Sequence, residues 1–81
     1  TTGSVGISYT LARDTKVSIR VYNVAGRMVR TLVDGAEQAG PHEITWDAQD
    51  DGGLRVEQGV YFYRMDTGDW QSNNKLVLLE K

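Results

Sequence analysis

Lys16-Val17-Ser18-Ile19-Arg20-Val21-Tyr22 alternates without a break: Val17, Ile19 and Val21 face one way, Ser18, Arg20 and Tyr22 the other. Successive side chains of a strand point to opposite faces, so a period of two marks a strand with one face buried and one in water. The same signature precedes it, with Val5, Ile7, Tyr9 and Leu11 separated by Gly6, Ser8 and Thr10, and Arg13-Asp14-Thr15 forms the polar turn between the two. After it, Asn23-Val24-Ala25-Gly26 reads as a turn, with Gly26 placed where a positive φ is cheap.

Working outward, residues 27–33 carry Val29, Leu32 and Val33, which would also suit a short helical face together with Ala36. Gly35 and Gly40 leave too little room for a helix, so a strand with a bulge is expected. Residues 35–41 read as a loop closed by the sole proline, Pro41, where an edge strand can begin without donating an N–H. His42 to Trp46 alternates again, with Ile44 and Trp46 in phase. Residues 47–53 are turn chemistry, 59–66 a strand, 67–74 a polar turn and 75–80 the last strand. Six or seven short strands with no convincing helix predict an all-β, antiparallel, Ig-like (Greek-key) β-sandwich. No internal repeat, low-complexity tract or linker interrupts it.

With 81 residues the chain has material for one hydrophobic core, and without cysteine it must rely on packing alone. Nine basic against eleven acidic residues, net charge −2, argue against the one-sided basic patch that nucleic acid requires. The longest apolar run is four residues, far short of the roughly 20 that span a bilayer. The opening Thr1-Thr2-Gly3-Ser4, with neither initiator Met nor signal peptide, suggests a piece of a longer precursor.

Two strands break the alternation. Val60-Tyr61-Phe62-Tyr63 and Leu76-Val77-Leu78-Leu79 are apolar on both faces, which an antiparallel strand with one solvated face is not. The second face either packs under loops or under Trp70, or docks on a neighbouring domain or a partner.

The acidic stretch Trp46-Asp47-Ala48-Gln49-Asp50-Asp51-Gly52-Gly53 invites a metal reading. Asp47, Gln49 and Asp51 fall at positions 1, 3 and 5 of an EF-hand loop with Gly52 at the glycine, but position 12 is Gln58 rather than the bidentate Glu, and the flanks are strands. The expectation is instead that Asp47 and Asp50 accept backbone N–H bonds across a tight turn and that Gly52 and Gly53 supply positive φ. His42 is the sole histidine and no G-x-S-x-G elbow seats a serine beside it; at the head of a strand it reads as a surface residue. No catalytic, metal or cofactor site emerges, and no enzyme is expected. Trp46, in phase with Ile44, reads as core together with Tyr61 and Tyr63. Trp70, in a polar segment, reads as exposed, but one ring is not a glycan-binding platform.

The ordered set Asn23-Val24-Ala25-Gly26-Arg27-Met28-Val29-Arg30-Thr31-Leu32-Val33, Ala39-Gly40-Pro41-His42-Glu43-Ile44-Thr45-Trp46-Asp47, Gly59-Val60-Tyr61-Phe62-Tyr63-Arg64-Met65 and Lys75-Leu76-Val77-Leu78-Leu79 resembles the Ig-like domains of flagellar hook-capping proteins. It resembles equally the C-terminal sorting domains of cargo for the type IX (Por) secretion system. The resemblance implies a small accessory sandwich at the C-terminus of a larger secreted or cell-surface protein of a Gram-negative-type bacterium, reaching its place via the periplasm. In the sorting branch it implies recognition by the outer-membrane secretion machinery, followed by cleavage and release or surface attachment. The residues that carry the family motifs, and so the implied recognition, are Gly26, Arg27, Gly59, Val60, Tyr61, Phe62, Lys75, Leu76 and Val77. An Asn-Pro-rich segment is usual just ahead of the first strand of the family, and Thr1-Thr2-Gly3-Ser4 holds that place in this sequence. The expected function is non-catalytic sorting and surface retention, with a structural spacer or hook-cap module as the alternative and a glycan-binding module third.

Overall fold

A computed structural model describes residues 4–68 and 70–78; the expectations placed on Thr1, Thr2, Gly3, Asp69, Leu79, Glu80 and Lys81 lie outside them. The expected strands become β1 (Val5–Leu11), β2 (Thr15–Tyr22), β3 (Met28–Glu37), β4 (Gly40–Trp46), β5 (Gly59–Thr67) and β6 (Gln71–Leu78). No helix is long and apolar enough to cross a membrane among the described residues. Two sheets result, β1-β4 and β3-β2-β5-β6, antiparallel throughout. The return of β4 to lie beside β1, while β2 and β3 pair in the other sheet, is a Greek-key connection. The all-β, Ig-like sandwich is as expected, with six strands and an isolated Gln49–Arg55 bridge in the β4–β5 connection.

Val17, Ile19 and Val21 are fully buried, as the alternation of β2 requires, and each stands at the centre of packing between the sheets. One cluster gathers Val21, Trp46, Ala48, Tyr61, Leu76 and Leu78; a second gathers Leu11, Val17, Ile19 and Met65. Trp46 is wholly enclosed and meets Tyr61 edge to face at 5.4 Å, the geometry that opposes the ring quadrupoles favourably.

Two connections are shorter than expected. Residues 35–41 are not a loop: Gly35, Ala36 and Glu37 continue β3 against Val17, Lys16 and Thr15, while Gly40 and Pro41 pair with Leu11 and Thr10. Only Gln38 and Ala39 connect the strands, and Gly40, at φ +117°, makes the turn. The glycine at 35 sits in an outer strand where open space would receive a Cβ, so it does not signal a turn. The turn expected over residues 67–74 is shorter than that: Thr67 ends β5 and Gln71 already begins β6. Residues 71–74 pair with 63–66, and Asn74 Nδ2 donates to Ser72 Oγ at 3.0 Å. Asn74 shares the inner-face side of β6 with Leu76 yet is exposed, so β1-β4 does not cover that stretch and polar side chains cost nothing there. The expected bulge in β3 is present twice, leaving Leu32 and Val29 without register partners on β2 and pressing both against the core.

Candidate interaction surface

The acidic turn is built as a set of backbone caps. Asp47 Oδ1 accepts from Gln49 N at 3.2 Å, and Asp50 Oδ1 accepts from Gly52 N at 2.9 Å and Leu54 N at 3.0 Å. Gly53 supplies a positive φ of +85°, as expected, but Gly52 does not; the other left-handed residue of the turn is Ala48, at φ +62°. Arg30 reaches across from β3, donating to the carbonyls of Asp50 (3.1 Å) and Gln49 (3.4 Å) and lying 3.6 and 3.9 Å from the Asp47 and Asp51 carboxylates. The carboxylates that suggested calcium thus face a guanidinium and backbone N–H groups. Asp51 also pairs with the free edge of β3: its N–H donates to Val29 O at 3.0 Å and its Oδ1 accepts from Thr31 N at 3.1 Å.

His42 is not a surface residue but half-buried, stacked on Tyr9 with ring centroids 5.1 Å apart. Its Nε2 lies 2.6 Å from Gln38 O, which can only accept, so that nitrogen donates. Tyr9 Oη donates to Glu37 Oε1 at 3.2 Å, and the same oxygen is 3.5 Å from His42 Nδ1. The group joins the end of β3 to β1 and β4. Burial pushes the Tyr9 phenol up, helped by the hydrogen bond to Glu37 and its charge. Tyr61, which donates to Glu57 O at 2.6 Å, is raised by burial first and by the Glu57 charge second. Trp70 is exposed, as its polar surroundings suggested, at the β5–β6 turn.

The residues implied by the resemblance divide into three groups. Register brings Val60 opposite Val77 and Phe62 opposite Lys75, all on the outer face of the four-stranded sheet. Tyr61 and Leu76 are also partners, but on the inner face, where both are buried, so neither can touch a partner. Gly59 begins β5 at φ +147°, and Gly26, at φ +82°, closes the β2–β3 turn beside exposed Arg27. Asn23 Oδ1 shapes that turn, accepting from Ala25 N and Arg27 N, both at 3.0 Å.

Among the described residues, neither loops nor Trp70 cover the second face of the apolar strands. Val60 is 38% exposed, Phe62 39% and Val77 51%, and Val24, at 74%, extends the patch from the adjoining turn. Val24, Arg64, Asn73 and Tyr22 surround Phe62 in one shallow depression, and the sequence reading did not single them out for this role. Val24 sits inside a turn, where an apolar residue carries no periodic signal; the pairing of β5 with β2, which sets Tyr22 opposite Phe62, is non-local.

The fold has solved counterparts. FlgD from Pseudomonas aeruginosa matches with a TM-score of 0.72 at 23% identity, over 93% of this chain and 60% of that one. FlgD from Xanthomonas campestris, described for the hook capping essential for flagellar assembly, matches at 0.72 and 26% identity over 94% of this chain and 56% of that one. Dimeric latent PorU from Porphyromonas gingivalis matches at 0.78 and 20% identity over all of this chain but 8% of that one. The chain therefore spans somewhat more than half of the FlgD structures and a small part of PorU. No curated protein matches the sequence. The sequence profile of the FlgD Ig-like domain matches residues 1–69. With the profile spanning most of its length on a six-stranded sandwich, the chain belongs to the FlgD Ig-like domain family.

Proposed function

We propose that this domain is a non-catalytic structural module that joins a larger protein to its neighbours through the outer face of β5 and β6. One observation carries the reading: Val60, Phe62 and Val77, with Val24, stand in water on a sheet whose inner face already supplies the core. A solvated strand gains nothing from an apolar outer face, and a contiguous exposed patch of this kind marks a contact surface. The test is a parent protein carrying Val60→Ser, Phe62→Ser and Val77→Ser together. The 81-residue domain alone should still unfold cooperatively, at a somewhat lower melting temperature because Val60 and Phe62 are partly buried, whereas the parent should lose its contact with the adjoining domain or subunit. A parent that assembles and resists proteolysis as before overturns the reading.

Export sorting and surface retention form the finer version, supported by the resemblance of the motif set to type IX sorting domains and by the likeness in fold to PorU over the whole chain. The partner is then the outer-membrane secretion machinery. A reporter fused to this domain should leave the cell, and the triple substitution should hold it in the periplasm. Export of the substituted fusion at the normal rate removes the sorting role and leaves the structural one.

A further inference from the structure

The exposed face is divided by charge as well as by hydropathy. Across β2 and β5, Arg20 is the register partner of Arg64, and the next outward-facing pair is Tyr22 with Phe62; on its other side Phe62 faces Lys75. Like charges directly opposite each other on a sheet repel, and neither arginine is relieved by a carboxylate within ion-pair distance among the described residues. Arg20 donates instead to Ser18 Oγ at 3.4 Å and Arg64 to Gln71 Oε1 at 2.6 Å. Asp34 and Asp66 flank Ser18 in the row beyond, and Asp66 accepts from Gln71 Nε2. From the arginine row to the Val60–Val77 pair the face carries three cations and no acid, although the whole chain is net negative.

Where the two halves meet lies a depression of about 400 Å3, with Tyr22, Val24 and Phe62 as apolar surface and Arg64 and Asn73 as polar wall. We propose that it receives an acidic segment of a partner polypeptide. An aliphatic or aromatic side chain of the segment rests on Phe62 and Val24. An adjacent carboxylate pairs with Arg64, whose planar fork matches two carboxylate oxygens, while Arg20 and Lys75 add a field of the same sign that speeds encounter. The apolar surface selects a polypeptide over a glycan polyanion or a lipid headgroup, which would use the cations and leave Phe62 idle. This names the partner chemistry of the contact surface proposed above and rests on that reading.

The test titrates the isotope-labelled 81-residue chain with a short peptide alternating Glu and Phe, its Lys-and-Phe counterpart and polyglutamate. The Glu-and-Phe peptide should shift amide signals of Val24, Phe62, Arg64 and Asn73, weaken with added salt, and bind about tenfold less well to Arg64→Gln, the scale of one charge-assisted pair. Phe62→Ser should weaken it similarly while the domain still unfolds cooperatively and keeps the dispersed amide spectrum of a folded chain. Equal binding of the Lys-and-Phe peptide, shifts centred elsewhere, no binding, or equal binding of polyglutamate or of vesicles rich in phosphatidylglycerol would each overturn the proposal. The two readings fail separately. A parent that loses assembly on the triple substitution while its domain ignores acidic peptides keeps the contact surface and discards this chemistry. A domain that binds them while the parent assembles unchanged does the reverse.

Discussion

Arg30 does at the scale of one side chain what a disulfide does in other small sandwiches, tying the acidic turn to β3 through two carbonyls and two carboxylates. Its hydrogen bonds are charge-assisted but partly solvated, so Arg30→Met should cost about 1–2 kcal/mol, read as a lower urea midpoint at unchanged slope. Arg27→Met, three residues away in an exposed turn, should leave the midpoint within about 0.5 kcal/mol. The raised phenols of Tyr9 and Tyr61 add a pH signature. The fold favours their protonated form, so their contribution is fully present below the ordinary value of 10.0 and is lost as pH rises through the raised folded values. Stability should therefore fall above about pH 10, and Tyr61→Phe should flatten that fall; an unchanged alkaline slope would remove Tyr61 as its cause. At this scale the sequence was readable wherever a residue's partners are near in the chain, as with Asp50 capping Gly52 and Leu54. It was silent about Arg30 and about His42 on Tyr9, whose partners arrive only when β3, β1 and β4 meet.

Among the elements, β2 was legible to within one residue, Thr15 having read as part of the turn, because one face is buried and the other solvated, so the chemistry alternates with the backbone. β3 and β6 were underestimated because each is an outer strand of its sheet and carries residues that elsewhere mark turns. Gly35 occupies open space on β3, and residues 71–74 of β6 lie where the smaller sheet does not reach. Outer strands expose unpaired N–H and C=O groups to other chains, and on β3 the acidic turn blunts this hazard at Val29 and Thr31. Asp51→Ala would leave the Thr31 N–H without its acceptor. The expected result is a loss of about 1 kcal/mol and faster aggregation at the midpoint of heating, followed by light scattering. Aggregation no faster than that of Asp14→Ala, which removes the Asp14 bond to Ala39 N in the β3–β4 turn, would show that edge protection is not its role.

For the whole molecule, the architecture was predictable from short strand-like segments following one another without a convincing helix, but their division into two strands and four was not, because pairing between β1 and β4 or β2 and β5 leaves no local trace. The contact surface was half legible. Apolar runs on both faces of β5 and β6 pointed to the contact proposed above, while the arginine pair and Val24 required the register of β5 against β2. Such non-local antiparallel pairing predicts folding in milliseconds to seconds rather than microseconds; stopped-flow refolding followed by the enclosed Trp46 should show it, and a microsecond phase with full amplitude would contradict it. Val5 and Leu78 pack in the same cluster around Trp46 yet belong to different sheets, so the first and last strands leave the sandwich at one pole. Tension transmitted through the chain on either side would pull the sheets apart there, opening the Val5–Trp46 pair first and the bonds of β1 one after another. That loading geometry predicts unzipping at lower force than shear along the strands would need, and pulling the two ends apart in an optical trap would check it: a high-force, single-step rupture contradicts it.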